Sequence, residues 1–322
     1  MSESPSKKMK PTEVLPEDMV EHILSTFLPI QSFLRSRMVS KRFRKTHIRC
    51  RDLDFSGIYS VRRNQLEAVH IVESVFNQHK GSEINRFVMT LNHIGVEDKI
   101  LSWINTCLGK NIQELELDFS KSKKVIEIPV NFSAIETLTV LKLWCCKFQI
   151  PDNSLKGLKL LKTLSLMRAE VTKDMIDAIF NNCIYLETLE LIKCRMSEVL
   201  SINARNHKKF KSLVVYSMPK VLEIVLDAPT LECYNYDGHV RMIDFSSVNA
   251  LKEAKLLYYN RRYNWRKSYN MVIANLEPYT GVHVLATTNI FLEVIFYLVY
   301  KISIYFAGLL TYIFGFYGIL LK

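Results

Sequence analysis

The chain has 322 residues, 48% of them hydrophobic, and a formal net charge of +11. That apolar content excludes an extended disordered protein and is enough for a repeat domain with one small flanking module. The charge would suit nucleic acid or an acidic membrane, but it is scattered: Lys41, Arg42, Arg44, Lys45, Arg49 and Arg51 form one cluster and Arg261, Arg262, Arg266 and Lys267 another, neither with the spacing of a nucleic-acid module, so no nucleic-acid partner is expected.

Residues 1–12 are polar, with Lys7-Lys8-Met9-Lys10, and read as a disordered basic tail. A compact helical module over 13–50 follows. Val20, Ile23, Leu24, Phe27 and Leu28 fall at i, i+3, i+4, i+7 and i+8, which predicts one apolar face of a helix opened by Pro16-Glu17-Asp18, with acids where the helix dipole favours them. Pro29 ends it. Gln31 to Val39, with Phe33, Leu34, Met38 and Val39, predicts a second helix, and Ser40 is placed to cap a third that holds Phe43. Residues 51–83 then read as a linker.

From about residue 84 to 257 a Leu-x-x-Leu-x-Leu strand pattern returns with a period in the twenties. It runs Ile84-x-x-Phe87-x-Met89, Ile112-x-x-Leu115-x-Leu117, Leu138-x-x-Leu141-x-Leu143, Leu161-x-x-Leu164-x-Leu166 and Leu186-x-x-Leu189-x-Leu191. It then degenerates through Phe210-x-x-Leu213-x-Val215, Leu231-x-x-Tyr234-x-Tyr236 and Leu251-x-x-Ala254-x-Leu256. Such a period means a leucine-rich-repeat solenoid, an α/β fold whose parallel strands line a concave face. Val96 to Leu108 and Val171 to Cys183 suit the convex side, and Val171, Met175, Ile176 and Ile179 show helical spacing behind a Thr172 cap. The repeat domain is expected to span 84–295, its last part carrying Val282-x-Val284-Leu285.

Residues 296–322 form a hydrophobic tail in which Ile302 to Leu321 is uncharged between Lys301 and Lys322. At 1.5 Å per residue such a helix would span roughly 30 Å, the thickness of a bilayer core. It reads either as a tail anchor holding the rest at a cytosolic membrane face or as a foreign hydrophobic end on a truncated repeat domain.

The seven cysteines are an odd number without paired C-x-x-C spacing, and the N-terminus carries no apolar signal segment, so a reduced cytoplasmic or nuclear setting is expected. Cys146 and Cys194 each stand eight residues after the first leucine of their repeat, where the repeat pattern puts Asn or Cys in the turn leaving the strand; Ser120 and Ala169 fill that slot elsewhere. No metal or cofactor is expected. Asn131-Phe132-Ser133 is a glycosylation sequon that, without secretion, reads as coincidence. No Walker loop, G-x-G-x-x-G, H-E-x-x-H or G-x-S-x-G occurs, and the eight histidines are dispersed, so no catalytic residue is nominated.

Leu15-Pro16-Glu17-Asp18, His22-Ile23-Leu24, Leu28-Pro29 and Val39-Ser40-Lys41-Arg42-Phe43-Arg44 resemble an F-box in order and spacing. With Asp52-Leu53-Asp54-Phe55 and the repeats behind it, the chain resembles a plant-type F-box and leucine-rich-repeat protein. Two departures are Phe43, where such boxes usually carry Trp, and a first helix one residue longer, with Ser25-Thr26-Phe27 before Leu28. The resemblance implies a non-catalytic substrate receptor: the box docks on a Skp-type adaptor that joins it to a cullin ubiquitin ligase, and the repeats hold an unknown protein substrate. Leu15, Pro16, Ile23, Leu24, Leu28, Pro29 and Val39 are the residues it nominates for the adaptor. The alternative is a leucine-rich-repeat scaffold or recognition protein outside ubiquitination.

Strand geometry nominates the target site. The residue between the last two leucines of each unit and the one two beyond it point outward onto the concave sheet. The first set is Glu116, Lys142, Ser165, Glu190, Val214 and Asn235; the second includes Trp144, Met167, Ile192 and Tyr216, a predicted ladder of large apolar groups for substrate binding.

Overall fold

The structure, a computed structural model, describes residues 15–57, 64–128, 135–148, 157–196, 198–239, 241–258 and 283–287, together with Tyr300 and Ser303. The basic tail, the sequon, the Arg261 cluster and, Ser303 apart, the apolar stretch 302–321 lie outside the described residues.

Each repeat unit contributes one short strand to a parallel sheet: β1 (Asp52–Phe55), β2 (Arg86–Thr90), β3 (Glu114–Asp118), β5 (Val140–Trp144), β7 (Thr163–Met167), β8 (Thr188–Ile192), β10 (Ser212–Tyr216), β12 (Cys233–Gly238), β14 (Glu253–Tyr258) and β15 (Val284–Thr287). They are hydrogen-bonded in that order. In β3, β5, β8 and β10 burial alternates residue by residue, as a sheet with one covered face requires. Leu115, Leu141, Leu164, Leu189 and Leu213 are in register on five successive strands and all buried. In the degenerate unit Tyr234 takes the same place, its ring stacked near Tyr236 at 6.4 Å and edge-on to Phe245 at 5.3 Å. An aromatic fills the leucine slot without breaking the array.

The sheet begins before the sequence repeat does. Leu53 and Phe55 are buried, and β1 pairs in register with β2, Asp52 opposite Arg86. Between them runs α4 (Gln65–Gln78), capped by the Asn64 side chain accepting from Glu67 N at 2.9 Å. The segment read as a linker therefore contributes a strand and a helix to the solenoid.

The return side changes character along the array. The early units cross back through α4 and α5 (Glu97–Leu108), and a later one through α6 (Lys173–Asn182). The Thr172 hydroxyl accepts from Met175 N at 3.1 Å, which satisfies one of the free amides of the first turn of α6. Val171, Met175, Ile176 and Ile179 are all buried, as their spacing predicts. Between α5 and α6 the return side carries β4 (Ile126–Ile128) paired with β6 (Cys146–Phe148), and the later, shorter units return through β9 (Val199–Asn203), β11 (Glu223–Asp227) and β13 (Met242–Asp244), which form a second parallel sheet.

Leaving four adjacent strands, Cys145, Arg168, Lys193 and Ser217 adopt the left-handed conformation, with φ of 60°, 53°, 53° and 52°. Their amides donate to the next strand, to Met167 O at 2.8 Å, Ile192 O at 2.9 Å, Tyr216 O at 2.7 Å and Asp237 O at 2.6 Å. One more rung of the parallel ladder offsets a conformation that costs a residue with a Cβ about 1 kcal/mol. In the slot that follows, Cys146 Sγ lies 3.5 Å from Trp144 O, and Cys194 Sγ lies 3.2 Å from Leu166 O and 3.6 Å from Ile192 O. The thiols donate to the strand carbonyls, as a turn residue of that slot should. Burial pushes the Cys194 thiol up to about 11, so it holds its proton.

At the N-terminus are α1 (Glu17–Phe27), α2 (Ile30–Val39) and α3 (Lys41–Arg44). Val20 and Leu24 of α1 and Ile30 and Phe33 of α2 face a core continuous with that of the solenoid. Ser40 holds the N-cap position of α3, but its side chain makes no capping bond. The predicted single apolar face of α1 is also divided: Val20 and Leu24 are buried, whereas Ile23 and Phe27 are exposed, Phe27 by 71%. Arg49 ties this end together through Glu21 at 2.7 Å, and Lys80 N donates to Ile48 O at 2.8 Å beside the Ile48–His79 bridge.

The left-handed row gives a direct test. Arg168→Gly and Arg168→Val both delete the guanidinium, so their difference isolates the backbone. By thermal unfolding the valine variant should be less stable than the glycine variant by about 1–2 kcal/mol.

Candidate functional site

Two surfaces are built from these elements. On the concave sheet, Trp144 is in register with Met167, Met167 with Ile192 and Ile192 with Tyr216. Trp144, Met167 and Ile192 are partly buried and Tyr216 is 37% exposed. Adjacent strands lie about 4.8 Å apart, so the four side chains form one continuous strip. Asp118 precedes Trp144 in the same register and Asp237 follows Tyr216, so the strip ends in a carboxylate on each side. Lys193, one residue beyond Ile192, places its Nζ over the Tyr216 ring at 5.6 Å from the centroid and holds that ring at the strip's end.

The polar groups around the strip fall into two sets. Towards β1 they are paired: Arg86 reaches Asp54 at 3.0 Å, Glu114 at 3.2 Å and Glu116 at 3.7 Å, and Lys142 reaches Glu116 at 3.3 Å. Burial pushes the Asp54 carboxyl up, but its bonds to Ser56 and Arg86 outweigh that and hold it below the ordinary range. Within the strip the groups lack partners. Trp144 Nε1 and Ser165 Oγ are buried with no hydrogen-bond partner, although a buried donor normally finds one. Burial raises the Asp237 carboxyl above its ordinary value against the pull of Lys255 and Lys193.

The second surface is on the N-terminal helices. Of the residues nominated there, Leu15, Pro16, Ile23, Pro29 and Val39 are exposed, Leu28 is partly covered, and Leu24 is buried and belongs to the core. Met19, Ile23 and Phe27, spaced at i, i+4 and i+8, make a solvent-facing stripe on α1, and Met38 and Val39 are 77% and 87% exposed at the end of α2. Met19 and Met38 were not nominated from the sequence. The stripe is legible only once Val20 and Leu24 are known to point inward. A cleft of 1140 Å³ lies between this module and the sheet, lined among others by Glu21, Ser25, Phe27, Arg49, Asp54 and Arg86. Among the described residues no group of three or more His, Cys, Asp or Glu is placed to hold a metal ion.

The family model described as the leucine-rich-repeat domain of At1g61320/AtMIF1 matches residues 75–304. The chain belongs to this plant F-box and leucine-rich-repeat family. It is 63% identical over 293 residues to the FBD-associated F-box protein At1g61320 of Arabidopsis thaliana, an alignment covering 91% of the chain and 64% of the relative. It is 60% identical over 299 residues to At1g61330 of the same plant, provisionally named an FBD-associated F-box protein, covering 92% of the chain and 66% of the relative. A more distant relative, the Arabidopsis F-box/FBD/LRR-repeat protein At1g13570, is 27% identical over 221 residues, covering 65% of the chain and 52% of the relative. The chain spans just under two thirds of the length of the first two.

Asp237 generates a test with a definite sign. Its pKa is raised in the folded state, so the group favours folding most below its unfolded value of about 3.9, and this contribution is lost as pH rises through the higher folded value. Asp237→Asn should therefore melt at a higher temperature than the parent at pH 7, the gap closing as the pH falls below about 4. A lower melting temperature at pH 7 would mean that the carboxylate stabilises the fold through Lys193 or Lys255.

Proposed function

We propose that the protein is the substrate-recognition subunit of a Skp-cullin-F-box ubiquitin ligase and has no catalytic activity of its own. In this reading α1–α3 are the F-box within residues 13–50, and the solenoid through residue 295 is the substrate receptor. The observation that carries it is the stripe Met19, Ile23 and Phe27 with Met38 and Val39: large apolar side chains left in solvent on a module whose own core is already filled by Val20, Leu24, Ile30 and Phe33. Contiguous exposed apolar groups mark partner surfaces, and a helical adaptor groove suits a helix that offers residues at i, i+4 and i+8. The relatives named as F-box proteins support the same assignment.

The target side is the concave strip from Trp144 to Tyr216, where Trp and Tyr supply the residue types that dominate binding energy. The protein then acts by proximity: it holds the target on the sheet while the helical module engages the adaptor, and the ubiquitin transfer is performed elsewhere in the complex. We place it in the cytoplasm or nucleus, with residues 302–321 as a candidate membrane tail. Among the described residues no helix is long and apolar enough to cross a membrane.

The adaptor face is tested by substitutions that spare the core. Ile23→Asp with Phe27→Asp should reduce capture of a purified Skp-type adaptor by at least about tenfold with little change in melting temperature, because both residues are already solvated. Leu24→Ala, by contrast, empties a buried site and should cost about 2–5 kcal/mol of stability. Undiminished capture by the double variant would remove the docking assignment.

A further inference from the structure

We propose that the segment held by the concave face is basic: a stretch of polypeptide that presents Lys or Arg on either side of aromatic or aliphatic side chains. This rests on the reading of the Trp144–Tyr216 strip as the target site and adds the chemical class of what it takes. The chain as a whole carries a net charge of +11, yet this surface has the opposite sign. From β3 to β14 the outward strand positions hold Glu114, Glu116, Asp118, Glu190, Asp237 and Glu253, against Lys142 and Lys255. An excess of acids on this face of a basic protein is a local field that attracts cationic groups and repels anionic ones.

The distribution of internal partners sharpens the argument. Glu114 and Glu116 have their cations, Arg86 and Lys142. Asp118, Glu190 and Asp237 form no ion pair among the described residues, and these three frame the apolar strip. Asp118 stands beside Trp144 at one end, Asp237 beside Tyr216 at the other, and Glu190 projects from the strand of Ile192 on the same face. Asp118 accepts only a local bond, from Ser120 N at 2.8 Å. The bases about the strip are few: Lys255, on the neighbouring strand, and Lys193 pull on Asp237 without forming an ion pair with it, Lys193 also lies over the Tyr216 ring, and the Arg168 guanidinium reaches Cys145 Sγ at 3.9 Å. Burial disfavours the charged form of Asp237, so an incoming ammonium or guanidinium would relieve a cost the free protein carries while forming a charge-assisted hydrogen bond.

The spacing bounds the length. Asp118 and Asp237 are five strand steps apart in one register, about 24 Å at 4.8 Å per step, a distance that roughly seven residues of extended chain would cover. An acidic segment or a nucleic-acid phosphate would meet three carboxylates without an ion-pair partner there, which disfavours both by like-charge repulsion.

The test is a selection of random short peptides displayed on phage against the full chain, followed by fluorescence anisotropy of the selected sequences as synthetic peptides. The expected outcome is enrichment of Lys and Arg next to aromatic or aliphatic residues. Affinity should fall about tenfold or more with Glu190→Gln combined with Asp118→Asn, and comparably with Trp144→Ala. The carboxamide variants keep shape and remove only charge, so a folded protein is available for the comparison, and circular dichroism checks it. Selection of acidic peptides, of peptides without basic enrichment, or of none would overturn the basic class. Peptides that lose affinity with Trp144→Ala but not with the carboxamide pair would leave the concave target site standing and remove its charge preference. Insensitivity to all of these variants would remove the concave site itself.

Discussion

The parallel ladder carries the structure. A single five-residue strand such as β8 can neither bury Leu189 and Leu191 nor satisfy its backbone groups alone; its neighbours β7 and β10 do both. Everything else is fixed by that stacking. Because Leu115, Leu141, Leu164, Leu189 and Leu213 must lie in one register to share a core, the residues three positions further along are forced into register as well. The apolar strip on the concave face is thus a by-product of core packing, and its composition is free to serve recognition. The left-handed residues Cys145, Arg168, Lys193 and Ser217 extend the same ladder by one rung and set where each chain leaves the sheet.

Continuity of the core joins the two surfaces. Ile30 and Phe33 pack into the same hydrophobic interior as Leu53 and Phe55 of β1, so the N-terminal helices are part of the body of the solenoid. A target held on the concave strip is then at a fixed distance from whatever occupies Met19, Ile23 and Phe27. For a receptor that works by bringing a target to a separate transfer machinery, such rigidity converts binding into a high local concentration of target at the reactive end.

Much of this was legible in the sequence, for identifiable reasons. The strands from Ile84 to Leu256 announce themselves because each unit repeats its apolar spacing, and the concave ladder follows from that spacing alone. Thr172 was readable as a cap because the hydroxyl stands directly before a helical apolar run. The first strand was not: β1 has only Leu53 and Phe55 inward, and the distance from Asp52 to Arg86 exceeds the period of the later units. The left-handed row was hidden because no glycine marks it. On α1 and its C-cap, five apolar residues at helical spacing suggested one face, but Val20 and Leu24 are buried in the core while Ile23 and Phe27 are exposed. Periodicity reports that a helix is amphipathic, and it leaves open which part of a broad apolar arc finds a partner within the same chain. The three unpaired carboxylates were individually visible, yet their framing of the strip depends on the observed register and on which acids Arg86 and Lys142 already occupy.

The central claim is that one rigid body carries an adaptor face and a separate target face. Hydroxyl-radical footprinting of the full chain, alone and with a purified Skp-type adaptor, tests it most directly, because methionine and aromatic side chains report both faces in one experiment. The account predicts that oxidation of Met19, Phe27 and Met38 falls sharply in the complex while that of Trp144, Met167 and Tyr216 is unchanged. Protection at Trp144, Met167 and Tyr216, or none at Met19, Phe27 and Met38, would contradict it.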